Sequence, residues 1–179
     1  IMDCIEAFPD DDGAPGFSDL PAMDIKTSGN PVRSRAYKTT PEDRQFLKET
    51  IDRLHAAGVI RPSNSPWAFP VLIARHRSGK LRMCVNYKKL NEQTRQDAYP
   101  LPKIDEVLSN LGGKTFFSTI DLCQGFHQVR LSDVPDEKGD SAQEKSTMVT
   151  PQGTFAWNAV GFGMTNSPGH FSRCMDMVL

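Results

Sequence analysis

Apolar residues recur at helical spacing after Thr40, at Phe46, Leu47, Ile51 and Leu54. The pattern predicts an amphipathic helix with one face on a core. Thr40 can cap its N-terminus and Pro41 suits the first helical position. Glu42 and Asp43 complement the positive end of the dipole, and Gly58 ends the helix. Residues 60–70 carry three prolines, which predicts an extended, rigid stretch. Val71–Ala74 and Leu81–Val85 are short apolar runs flanking turn residues, which predicts a β-hairpin with Arg75, Arg77, Lys80 and Arg82 about its tip. Residues 102–111 predict a second helix, with Ile104, Val107, Leu108 and Leu111 on one face and Gly112-Gly113 as its stop. Phe116–Ile120 predicts a strand leading into Asp121. Further strands are expected at 129–131, 147–149 and 154–160, and a last helix from Pro168, with Phe171, Cys174, Met175 and Val178 on one stripe. Helices and strands that do not alternate strictly predict an α+β fold.

Before Thr40 the pattern lapses. Residues 1–35 are broken by Pro9, Gly13, Pro15, Gly16, Pro21, Gly29 and Pro31 and read as a connector. A chain of 179 residues, 38% hydrophobic, sustains one core. No run approaches the apolar length of a bilayer span, so no membrane role is expected. The four cysteines are scattered, with no Cys-x-x-Cys pair, which argues against zinc and a disulfide framework. A net charge of −1 hides an asymmetry. Residues 1–24 hold seven acids and no Lys or Arg, whereas residues 25–132 hold eighteen Lys/Arg against nine acids. Residues 133–145 are acidic again, with five acids and two lysines. The basic block is consistent with a polyanion-binding face or with a solvated surface; charge alone does not choose.

Asp121 narrows the choice. A carboxylate at the end of an apolar strand is either a turn or cap residue or the ligand of a cation. Magnesium takes hard oxygen ligands, commonly one or two carboxylates with substrate phosphates. The residues around Asp121, Phe117-Ser-Thr-Ile-Asp-Leu-Cys-Gln-Gly-Phe-His-Gln-Val129, resemble the first palm motif of gypsy-type LTR-retrotransposon reverse transcriptases. Three further segments resemble that family in order. Val59-Ile-Arg-Pro-Ser-Asn-Ser-Pro-Trp-Ala68 matches the fingers entry. Leu81-Arg-Met-Cys-Val-Asn-Tyr-Lys-Lys-Leu-Asn91, followed by Tyr99-Pro-Leu-Pro-Lys-Ile-Asp105, matches the fingers core and the return to the palm. Gly161-Phe-Gly-Met-Thr-Asn-Ser-Pro168 resembles the second palm motif.

The resemblance implies a right-hand polymerase fragment: a connector at 1–35, fingers at 36–115 and a partial palm at 116–179. It implies RNA-directed DNA synthesis with Mg2+, or Mn2+ in its place, from deoxynucleotides on a primed RNA or DNA template. By position, Asp121 and the Leu122 carbonyl would hold metal. Arg82 would grip the triphosphate, with Arg75 and Lys80 as further cations. Gln124, Gly125 and Phe126 would line the nucleotide site, with Phe126 as the aromatic gate against a 2′-hydroxyl. Phe162 and Gly163 would line the nucleotide and template side. Trp67 and Tyr87 are expected to be structural, and His127 and Gln128 to serve packing or hydrogen bonding. Partners would be the rest of a Pol polyprotein (protease, thumb, RNase H, integrase), and the expected setting is cytoplasmic particles, with the nucleus as an alternative. A rival reading is a decayed or domesticated retroelement piece that serves only as a nucleic-acid-binding module.

Three departures from the family bear on these expectations. No Asp-Asp pair follows residue 12, so the family's Tyr-x-Asp-Asp motif is missing and this piece alone is expected to be inactive. The acidic stretch 133–145 is about seven residues longer than the family's link and is expected as a surface loop pointing away from nucleic acid. Gly161 stands where proline is usual, and Asn86 where aspartate is usual.

Overall fold

The computed structural model describes residues 16–119 and 121–178. Their elements are α1 (Pro41–Ala56), β1 (Ile60–Pro62), β2 (Phe69–Arg75), β3 (Leu81–Val85), α2 (Lys88–Asn91), α3 (Ile104–Leu111), a 3-10 turn (Gly125–Gln128), α4 (Ala142–Lys145), β4 (Met148–Thr150), β5 (Gly153–Trp157) and α5 (Ser167–Val178). The strands form one sheet in the order β1-β5-β4-β2-β3. Only the β2–β4 pairing is parallel. This is the expected α+β architecture. Among the described residues no helix is long and apolar enough to cross a membrane.

α1 forms as its sequence dictates. Thr40 Oγ1 accepts the Asp43 amide at 3.1 Å, Pro41 occupies the first turn, and Leu47, Thr50, Ile51 and Leu54 are buried. Phe69 lies fully buried at the sheet's centre, with the Trp67 and Tyr87 rings 6.2 and 5.4 Å away. Both of those side chains are structural, as expected. The Trp67 indole donates to Asp140 at 3.0 Å and the Tyr87 hydroxyl to the Ser146 carbonyl at 2.7 Å. Burial pushes the Tyr87 phenol far above its ordinary value.

Three points add to or correct the expectations. First, the connector has as little regular structure as expected, yet it packs on the body. Met23 and Ile25 are buried, and the Met23 amide donates to the Arg130 carbonyl at 2.8 Å. Second, the acidic stretch is woven into the body. Ser141 and Glu144 make a reciprocal capping box that starts α4, a helix the sequence reading missed. Lys145, with no exposed surface, donates to Asp136 at 2.6 Å and to the Ile25 carbonyl at 2.7 Å. Lys138 donates to the carbonyls of Ser28 and Gly29. The two lysines thus clasp the connector to the sheet, with Asp136 as the counter-charge of Lys145. Third, the strand expected before Asp121 does not form over residues 116–119, and Ile120 lies outside the described residues. A strand needs a neighbour for its backbone N–H and C=O groups, and no described segment pairs with this one. Residues 129–131 likewise form only bridges, Met23 to Leu131 and Arg130 to Ala159.

Candidate functional site

Asp121 emerges from the unpaired stretch with an exposed side chain. Among the described residues it makes no ion pair, and no cluster of three or more His, Cys, Asp or Glu side chains is present. Asp121 supplies one hard-oxygen donor, and one carboxylate does not by itself hold a divalent ion.

Three residues on, the chain turns sharply. Gln124 adopts φ 49°, ψ 42°, the sole positive φ outside glycine among the described residues. A side chain there costs about 1–2 kcal/mol. The turn leads into the 3-10 segment, and Gly125 leaves room beside it. A Cβ at Gly125 would come within 3.0 Å of Phe171 Cζ and 3.4 Å of Leu122 Cβ. The glycine lets α5 close on the turn.

Phe126 then lands half-buried between two rings. The Phe162 and Phe171 centroids lie 5.3 and 5.2 Å away, both edge-on, the favoured geometry for aromatic pairs. Phe162 remains 60% exposed, because Gly163 at φ +88° turns the backbone beneath it. The Gly163 carbonyl accepts from the Asn91 side chain at 2.8 Å. The structure thus joins two residues predicted from separate motifs. It also shows why Gly161 suits this chain: a Cβ there would press to 3.3 Å on Met164 Cε and 3.8 Å on the Trp157 ring.

His127 serves packing and hydrogen bonding, as expected. It is 7% exposed, its Nδ1 lies 2.9 Å from Gln124 Oε1, and its ring is 5.3 Å from Trp157 and 5.5 Å from Phe162. Burial, then the nearby Arg53 charge, holds its pKa below the ordinary value.

The basic tip divides. Ala74 pairs with Arg82 and Arg75 with Leu81, so the pleat puts Arg82 on the face of Leu72 and Cys84 and Arg75 on the other. Arg75 is also engaged, with Asp43 at 2.9 Å and Glu42 at 3.7 Å on α1. Lys80 is exposed in the loop. On the Leu72 side an open groove of about 700 Å3 runs past Asn86, Tyr87, Lys88, Asn91 and Gly163. Neither Arg82 nor Arg75 lines this groove.

The family model described as "Reverse transcriptase (RNA-dependent DNA polymerase)" matches residues 73–179. The Pol polyprotein from transposon gypsy of Drosophila melanogaster is 33% identical over 97% of this chain and 17% of its own length. That from transposon 297 is 34% identical over 86% of this chain and 14% of its own. The enzymatic polyprotein of cauliflower mosaic virus (strain Strasbourg) is 38% identical over 81% and 21%. The chain therefore spans about a fifth or less of these relatives. Foamy viral protease-reverse transcriptase in complex with dsDNA superposes with a TM-score of 0.80 at 22% identity, over 94% of this chain and 34% of that one. In complex with RNA/DNA hybrid the same viral protein gives a TM-score of 0.77, over 91% and 21%. These structures share the fold, and the family model and the ordered motifs place the chain in the reverse transcriptase (RNA-dependent DNA polymerase) family.

Proposed function

We propose that this chain supplies the fingers and the first part of the palm to an RNA-directed DNA polymerase, which joins deoxynucleotides to a primer 3′-hydroxyl on an RNA or DNA template. The observation that carries the reading is the Gln124 turn. It sets Phe126 against Phe162 five residues after an exposed, unpaired carboxylate. Phosphoryl transfer of this kind needs positioning and charge neutralisation rather than a protein nucleophile. Asp121 would hold Mg2+, or Mn2+ in its place, with the Leu122 carbonyl. The bound ions would activate the 3′-hydroxyl and stabilise the leaving pyrophosphate. Phe126 would meet the sugar and exclude a 2′-hydroxyl. Arg82, with Lys80 beyond it, would take triphosphate oxygens through its planar fork. Arg75 would brace the hairpin on α1 until a phosphate displaces Asp43. The groove past Gly163 would carry template. The thumb, RNase H and the other Pol domains are its proposed partners, in cytoplasmic particles.

One carboxylate does not make a two-metal site. Synthesis is expected only from a polypeptide that joins this chain to a Tyr-x-Asp-Asp hairpin. In such a polypeptide, assayed by primer extension on poly(rA)/oligo(dT), Asp121→Asn should lower synthesis by about 10³-fold. Template-primer binding should stay nearly unchanged. Full synthesis by the variant would overturn the assignment.

A further inference from the structure

Gln124 holds a left-handed backbone conformation that is costly for any residue with a Cβ, so specific bonds must hold it there. Two bonds from His127 close on this one residue. The His127 amide donates to the Gln124 carbonyl at 2.7 Å, and the imidazole Nδ1 sits 2.9 Å from Gln124 Oε1. An amide oxygen only accepts, so Nδ1 carries the proton and Nε2 is left as a bare acceptor. The ring is held in place by packing: its centroid lies 5.3 Å from that of Trp157 and 5.5 Å from that of Phe162, and Nε2 makes no hydrogen bond.

We propose that His127, as its Nδ1–H tautomer, is a positioning residue: packed on Trp157 of β5, it links itself to the Gln124 turn and thereby fixes the Phe126 ring against Phe162 and Phe171. The inference rests on the reading of Phe126 as the residue that meets the nucleotide sugar. Phe126 lies between Gln124 and His127 in the chain. If Gln124 relaxes to the right-handed region, the chain changes direction at Gly125 and the ring leaves its place. Burial, then the Arg53 charge, lowers the imidazole pKa and so favours the neutral ring. Fidelity toward the sugar would then depend on a residue that never touches the nucleotide.

Long-range 1H–15N correlation of the 179-residue chain reads the tautomer directly. A protonated Nδ1 with a bare Nε2 is expected; the reverse overturns the proposal, and no variant is needed. The Gln124 Cα and Cβ shifts then report its backbone in two variants. His127→Asn keeps a donor at the Nδ1 position and should preserve the left-handed shifts. His127→Phe keeps a ring without the donor and should lose them. Left-handed shifts retained in the Phe variant, or lost in both, would overturn the link. In a synthesis-competent polypeptide, the kcat/KM ratio of deoxynucleotide to ribonucleotide should fall about tenfold or more in His127→Phe and recover in His127→Asn. An unchanged ratio in the Phe variant overturns the proposal, unless Phe126→Val also leaves sugar selectivity unchanged; in that case the gate reading fails and the NMR result decides the link.

Discussion

Phe69 and Phe116 are the same residue in opposite surroundings. Phe69 is fully buried in β2, whereas Phe116 is 94% exposed in a stretch with no regular structure. Their regions differ as the residues do. The sheet, α1, the connector and the clasp close on a shared core. From Leu101 to Gln124 no described residue is buried or half-buried, although α3 carries Ile104, Val107, Leu108 and Leu111. α1 and α3 are both amphipathic, yet only α1 buries its stripe. Amphipathicity states that a face seeks cover; it does not supply the cover. Among the described residues, the partners of the first region are in place and those of the second are not.

The largest test of that contrast replaces each phenylalanine in turn. Phe69→Ala should cost about 4 kcal/mol, because the cavity it leaves lies among Trp67, Tyr87 and Met148. Phe116→Ala should change stability by less than about 0.5 kcal/mol. Urea melts of the two variants check both values. Equal losses would mean that the stretch before Asp121 is packed after all.

Next in size is the clasp. Asp136 is the carboxylate partner of a fully buried ammonium. Asp136→Ala should cost about 3 kcal/mol, chiefly because Lys145 would be left buried and uncompensated. The bond from Lys145 holds the Asp136 carboxyl down, to a pKa of about 2. The folded value lies below the unfolded one, so the stabilisation is complete above about pH 4 and is lost as pH falls toward 2. Thermal melts between pH 5 and 2 should show that loss in the native chain and a flatter acid limb in Asp136→Ala. An identical limb in both would remove Asp136 from the account.

A smaller effect is expected at the turn itself. Gly125→Ala places a Cβ 3.0 Å from Phe171 Cζ, and α5 must yield by a few tenths of an ångström. The cost should be about 1 kcal/mol, read as a lower urea midpoint with an unchanged slope. A neutral result would show that Phe171 yields freely and does not fix Phe126.

These contrasts mark what the sequence could and could not convey. α1 was legible to its cap, since Thr40, Pro41 and Gly58 act locally. The hairpin was legible too, because β2 and β3 are neighbours in the chain. The strand before Asp121 was misread, because its apolar alternation promises a pairing that depends on a partner elsewhere. The clasp was hidden for the converse reason. Its charges read as a solvated loop, and only the fold brings Lys145 under the connector at Ile25. At the site, motif order located Asp121, Phe126 and Phe162. The opposite faces of Arg75 and Arg82 came from strand register, and the bond from His127 to Gln124 from a backbone angle. Neither is visible in a string of letters.

The smallest expected effect returns to α3. Ile104 is 77% exposed and Leu108 59%. Exchanging both for lysine removes no buried contact, so stability should move by less than about 0.5 kcal/mol. The apolar face itself should still be detectable. Contiguous exposed apolar surface binds hydrophobic dyes and promotes association, and two lysines should reduce both. Dye fluorescence and light scattering of the native and doubly substituted chains measure this at matched concentration. A fall in both with an unchanged melt would place α3 outside the core of this chain. A clear loss of stability would mean that its apolar stripe is covered in solution, and the contrast between the two regions would no longer hold.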